Sequence, residues 1–194
     1  MSSDNPLDPL RAAQEEGFFH EQNKALIAKM KARLAADQTG QALREAGVDD
    51  AELVQALLDA GVSKDTMPVL HLAPLLQVAW ADGEIQAEER ALLVEAARRQ
   101  GVTEGTPADD ALSGLLDAQP SEAFFANALG YLRAVLAAMD PDAAQAASED
   151  LTSLSRQVAL AHGKLWGLFG TGVDDAEREA LDEIATRLSE SKPG

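Results

Sequence analysis

The sequence predicts an all-α protein, a compact bundle of about nine helices built on a duplicated helix-loop-helix unit. Apolar residues make up 46% of the chain and aromatic residues only 4%. The apolar share is mostly Ala and Leu, which favour helices over strands. Asp, Thr and Pro recur where helix caps and first turns require them. Two stretches of the chain also match each other at corresponding positions, as expected of a repeated structural unit.

The first helix is predicted over about residues 8–36, with Pro9 in its first turn, where the missing N–H has no intrahelical acceptor. Phe18, Phe19 and Leu26 are expected to anchor this helix against the rest of the chain, because their spacing places them on or near one face. The apolar side comprises Phe19, Leu26, Met30 and Leu34, and the basic residues elsewhere on the helix are Lys24, Lys29, Lys31 and Arg33.

A short second helix is predicted near residues 39–46, and a third follows it with a complete N-terminal signature. Asp49 is the expected N-cap, and Glu52 stands three residues later as its capping-box partner. Gly61 is expected to end this helix in the left-handed conformation that glycine adopts without strain.

The fourth predicted helix, over about residues 66–81, is apolar nearly all round and should therefore be buried on most sides. Pro74 lies inside it and should kink it, because proline removes a backbone hydrogen bond. Five further helices are predicted to begin near Gln86, Pro107, Ser121, Pro141 and Asp174.

The internal duplication consists of two apolar helices, each followed by a glycine turn and a capped amphipathic helix. Residues 78–83 match residues 158–163, and after an insertion residues 85–97 match residues 173–185. Two such hairpins can bury their apolar faces against each other.

Three short segments within the first copy carry a family resemblance: AWADGEI at 79–85, EER at 88–90 and LL at 92–93. Over about residues 64–190 the chain resembles the TerB-like family. That family is named for a bacterial tellurite-resistance protein and is found also at the N-terminus of a membrane-anchored J-domain co-chaperone. The resemblance implies an all-helical fold and a role in metal or stress response. The predicted domains are an N-terminal helical extension, 1–62, and a TerB-like helical domain, 63–194.

The acidic residues of this motif have two interpretations. The resemblance suggests that Asp82, Glu84 and Glu89 converge on a divalent cation. Alternatively, Asp82 accepts hydrogen bonds from turn amides while Glu89 reaches back to the helix N-terminus as a capping-box acid. A calcium EF-hand loop is excluded, because Val78 and Trp80 would stand where that loop needs oxygen ligands.

Composition excludes several other classes. The chain has no cysteine, and its 33 acidic residues against 16 basic ones give a formal charge of -17, which repels nucleic acid and anionic lipid. No apolar run approaches the roughly 20 residues that span a bilayer, so no direct membrane insertion is expected. The N-terminus has no signal-peptide pattern, and a cytoplasmic location is expected.

No catalytic residue is predicted. The three histidines are scattered, and the Gly-rich segment 163–172 lacks the ending of a phosphate-binding loop. The sequence therefore predicts a non-enzymatic acidic helical protein that binds a divalent cation or acts in metal or stress response. The alternative is a helical protein-protein interaction module, scaffold or co-chaperone-like, that holds another protein through its N-terminal and kinked helices. A large exposed apolar patch rimmed by charge would favour this alternative, whereas a surface cluster of unpaired carboxylates would favour the cation.

Overall fold

The computed structural model describes residues 8–166, with side chains from 20 to 159, together with residues 179, 180, 182, 184 and 186. This part of the chain contains eight helices and no strand, so the all-α prediction is confirmed. The helices are α1 (Asp8–Glu45), α2 (Ala51–Asp59), α3 (Met67–Leu70), α4 (Ala73–Ala79), α5 (Ala87–Arg99), α6 (Pro107–Asp117), α7 (Glu122–Ala138) and α8 (Pro141–Trp166).

The helix count of about nine is corrected to eight for the described residues, and two predicted boundaries are wrong. The first two predicted helices form one helix, α1, because no proline interrupts residues 36–41 and Gly40 costs a helix only about 1 kcal/mol. The predicted helix 66–81 is instead divided into α3 and α4. The predicted last helix lies mostly outside the described residues, although its five described positions are helical.

Pro74 explains where the predicted kinked helix is divided. Its ring and missing N–H are unfavourable inside a helix but harmless in a first turn. Pro74 accordingly stands in the first turn of α4, and Pro68 stands in the first turn of α3. A new helix therefore begins at each proline, and neither proline bends a continuous helix.

The chain divides into two compact units, residues 1–38 and residues 39–194, whereas the sequence placed a boundary at 62/63. In the first unit the described residues belong to α1. Leu26, one of the three residues expected to anchor the first helix, is 56% exposed. Phe18 and Phe19 lie outside the residues whose side chains are described.

The core of the second unit surrounds α4. Six of the seven residues of α4 are buried, so the prediction of a helix enclosed on most sides is confirmed for this segment. Helices α5, α7 and α8 contact α4, and α2 packs against α7. Fully burying one leucine or valine stabilises a fold by about 1.5–3 kcal/mol, so α4 is held by its surroundings more than by its own short run of hydrogen bonds.

The predicted duplication is not shown by the structure. Gly163, the expected turn of the second copy, lies within α8. Most of the following segment of that copy lies outside the described residues.

The predicted C-terminal glycine of α2 is confirmed, whereas its N-cap is shifted by one residue, so that Leu53 stands at N3 and the predicted capping box with Glu52 is not formed. Asp50, not Asp49, is the N-cap, and its Oδ1 accepts hydrogen bonds from Glu52 N at 2.9 Å and Leu53 N at 3.3 Å. Gly61 ends the helix with φ 79°, as predicted.

Gly47 is required by both conformation and space. It has φ 95°, and a Cβ built on it would lie 2.5 Å from the Cβ of Ala138 on α7. Gly101, with φ 85°, has nothing within 4 Å of the same position. Alanine substitutions at Gly47 and Gly101 therefore distinguish the cost of backbone strain from the cost of steric overlap.

We expect Gly101→Ala to cost about 1 kcal/mol of unfolding free energy, because a side chain disfavours the left-handed conformation. Gly47→Ala should cost about 3 kcal/mol, since overpacking against α7 adds to the same strain. Urea unfolding of both variants measures the difference. Equal losses would show that the end of α7 moves freely and that Gly47 is not fixed by packing.

Candidate functional site

The predicted acidic site lies in the turn between α4 and α5. Asp82 Oδ1 accepts a hydrogen bond from Glu84 N at 3.0 Å, and Glu89 Oε2 accepts one from Gln86 N at 2.7 Å. Asp82 and Glu84 are exposed, whereas Glu89 is 1% exposed. Gly83 has φ 89°. The two carboxylates at either end of this turn therefore make the hydrogen bonds that the capping interpretation predicts.

Two other residues of the motif have a structural role that the sequence did not reveal. The Nε1–H of Trp80 donates to the Leu115 carbonyl at 3.0 Å, and an Arg90 guanidinium nitrogen donates to the Leu116 carbonyl at 3.0 Å. Both carbonyls belong to the last turn of α6, where no intrahelical N–H remains to bond them. Arg90 also pairs with Asp117. Trp80 is half-buried and packs against the hydrophobic core.

Among residues with described side chains, no group of three or more histidine and acidic residues is arranged to hold a metal ion. The cation site at Asp82, Glu84 and Glu89 stays a prediction. Asp140 makes the same kind of bond at the start of α8, where its Oδ1 accepts from Asp142 N at 3.0 Å. It therefore provides a matched control for substitutions of Asp82.

If the turn binds a divalent cation, that ion should raise the melting temperature by binding the folded state, and the rise should disappear in Asp82→Asn. If Asp82 is only a cap, the variant should lose about 1 kcal/mol or less with or without metal, because an amide oxygen still accepts the hydrogen bond. Thermal unfolding with calcium, magnesium, manganese and zinc measures both. Asp140→Asn is the matched control, because it changes the same kind of cap and leaves the Asp82 turn intact. It should lose a similarly small stability and keep the wild-type response to metal.

A second feature of the same unit is a cleft of about 330 Å³ between α1, α3 and α7. His71 and Tyr131 meet on its wall edge to face, with ring centroids 5.5 Å apart and planes inclined by 76°. Burial lowers the pKa of His71 below its usual 6.5, and a backbone hydrogen bond to Pro68 opposes this. Burial also raises the pKa of Tyr131. At pH 7 both rings are therefore uncharged.

The loop that carries Lys64 to this cleft is fixed by hydrogen bonds. Lys64 N donates to the buried hydroxyl of Thr39 at 3.0 Å, and Ser63 N donates to Thr66 Oγ1 at 2.9 Å. These bonds hold the loop backbone in place while the Lys64 side chain stays exposed. The one sequence signal for this cleft is a histidine, His71, in an apolar segment.

The third feature is an apolar surface on α1, the α1 stripe, formed by Leu26, Ile27, Met30 and Leu34. These side chains are 54% to 64% exposed. At 3.6 residues per turn they cover about 100° of the helix circumference. Lys29 and Arg33 border one edge, and Lys24 and Lys31 border the other; all four are exposed.

Comparisons of the chain with protein-family models, with curated proteins and with solved structures find no match. The resemblance to the TerB-like family therefore stays a prediction. Within the described helices, none is both long enough and apolar enough to cross a membrane.

Proposed function

We propose that this chain is a non-enzymatic, cytoplasmic helical interaction module that docks the α1 stripe into an acidic hydrophobic groove of another protein. One observation carries the proposal. Five large apolar side chains are exposed among the described residues, and four of them form the stripe. From Ile27 the stripe follows the i, i+3 and i+7 spacing of the anchors by which helices bind grooves, and Leu26 lies beside it. The docking surface does not include the kinked helix that the sequence suggested, because its α4 segment is buried.

Charge favours an acidic partner over a second copy of the chain. Residues 22–36 contain four basic side chains and no acidic one. Pairing two stripes would bring Lys24, Lys31 and Arg33 of one copy beside the same basic residues of the other. Like charges across such an interface oppose association. A groove edged by Asp and Glu would instead meet the basic residues at both borders of the stripe.

The face opposite the stripe favours a groove over a membrane surface. Helices that lie on membranes carry a strongly charged outer face, rich in lysine and arginine. Here the outer face is alanine, at positions 25, 28, 32 and 35, and the charges are confined to the borders. A protein groove that encloses much of the helix suits this distribution better.

The energetics indicate a partner that contributes more than apolar contact. Burying the exposed half of each stripe side chain stabilises a complex by about 1 kcal/mol per residue. Four such residues supply about 4 kcal/mol, which is near the lower limit of the cost of association. Charge pairing at both borders must therefore supply the net affinity, and binding should weaken as salt is added.

The alternative function is the TerB-like one, a divalent cation bound by Asp82, Glu84 and Glu89 in a metal or stress response. It rests on the sequence resemblance together with two exposed carboxylates in one turn, Asp82 and Glu84. The metal titration of Asp82→Asn tests it separately from the interaction.

The probe is a synthetic amphipathic helical peptide with a leucine face bordered by glutamates, called the acidic peptide. The control is the basic peptide, in which lysines replace these glutamates. We expect the full chain to bind the acidic peptide and not the basic one. Met30→Gln combined with Leu34→Gln should weaken binding about 30-fold, since about 2 kcal/mol of burial is lost. Fluorescence anisotropy of the labelled peptides measures both affinities.

Ala32→Gln combined with Ala35→Gln, on the opposite face, is the control and should bind the acidic peptide like the wild type. Three outcomes would overturn the proposal. The first is equal affinity of the stripe variant and the wild type. The second is binding to phosphatidylserine vesicles without binding to the acidic peptide. The third is a dimer, detected by light scattering, that the stripe variant abolishes.

A further inference from the structure

The cleft between α1, α3 and α7 is independent of the α1 stripe, and its lining is unlike the rest of the chain. The described residues that line it include one charged side chain, Lys64, and no acidic one. The whole chain carries 33 acidic residues against 16 basic ones. A cleft with a lone cation in so acidic a protein selects for an anionic group on whatever it holds.

Size and lining define the rest of the ligand. The cleft volume, about 330 Å³, lies at the lower end of the range of small-molecule sites. Met67 and Pro68 supply aliphatic walls, and the ring of Tyr131 packs edge to face with His71. Tyr131 also lines the cleft, although only 2% of its surface is exposed. These surfaces fit a flat apolar body about the size of a phenyl ring.

We propose that this cleft binds a small aromatic carboxylate, with the ring against Met67, Pro68 and Tyr131 and the carboxylate at Lys64. The loop geometry supports the assignment, because the bond from Lys64 N to the buried Thr39 hydroxyl fixes the lysine backbone at the cleft. His71 is neutral at pH 7, since burial lowers its pKa, so Lys64 supplies the one positive charge among the described residues of the lining.

Two electrostatic influences compete at this site. The net charge of -17 repels an anion, but it is spread over the chain and is screened beyond about 8 Å at physiological salt. The Lys64 ammonium acts at contact distance, where screening is weakest. Local attraction therefore prevails, and raising the salt concentration should reduce the preference for an anion without reversing it.

The test uses the full chain and three probes: phenylacetate, phenethylamine with the same ring and the opposite charge, and acetate without the ring. The His71 imidazole proton signals report binding by NMR, and they are identified in a variant with His20→Gln and His162→Gln. We expect phenylacetate to shift these signals saturably, with an affinity at least fivefold higher than that of either other probe.

Two pairs of variants locate the ligand. Lys64→Met should lower the affinity for phenylacetate about fivefold, as expected for an exposed ion pair. Lys24→Met, outside the cleft, should leave this affinity unchanged. Ala42→Leu should fill the cleft and lower the affinity for phenylacetate at least tenfold. Ala35→Leu, on the same helix, should leave this affinity unchanged. The proposal is overturned if phenethylamine binds as tightly as phenylacetate. It is also overturned if no probe shifts the His71 signals, or if Lys64→Met binds phenylacetate like the wild type.

Discussion

The burial of α4 is the constraint on which the second unit depends. A seven-residue helix with six buried residues cannot persist alone in water, because helices shorter than about 12 residues are marginal without packing. Helices α5, α7 and α8 contact it, and its apolar surface is therefore removed from water on several sides at once. Both prolines of the surrounding segment fit this arrangement because each stands in a first turn, where it interrupts no helix that the core needs.

The turn that leaves α4 connects this core to α6 through polar contacts. Trp80 and Arg90 bond consecutive carbonyls at the end of α6, and the Gln119 side chain donates to the Trp80 carbonyl at 3.2 Å. Such carbonyls would otherwise need water or a capping residue. The tryptophan, the arginine and the acid Glu89 of the AWADGEI and EER segments therefore have structural roles that require no ligand. A sequence motif of this kind can mark a folding unit as well as a binding site.

The sequence predicted the helical class, the buried helix and the capping chemistry because each depends on residues close together in the chain. Gly61 and the pair Gln86 and Glu89 are examples, since their partners lie within a few positions. The errors have a different origin. The shift from Asp49 to Asp50 as N-cap depends on the path by which the chain enters α2, and both residues have suitable side chains. The cleft could not be predicted, because Ala42 and Tyr131 are distant in sequence from Lys64 and His71, and only the packing of α1, α3 and α7 brings them together.

Burial also explains why the apolar pattern of α1 misled the sequence interpretation. Leu26, Met30 and Leu34 have the same spacing as core residues of other helices, and spacing alone does not reveal what covers a face. Their neighbours differ, however, because the stripe is bordered by basic residues throughout 22–36, in a chain that is otherwise strongly acidic. A core face gains nothing from such a border, whereas an interface gains both rate and specificity from it. The charge at the borders of an apolar face thus carries information about its partner that the apolar pattern itself does not contain.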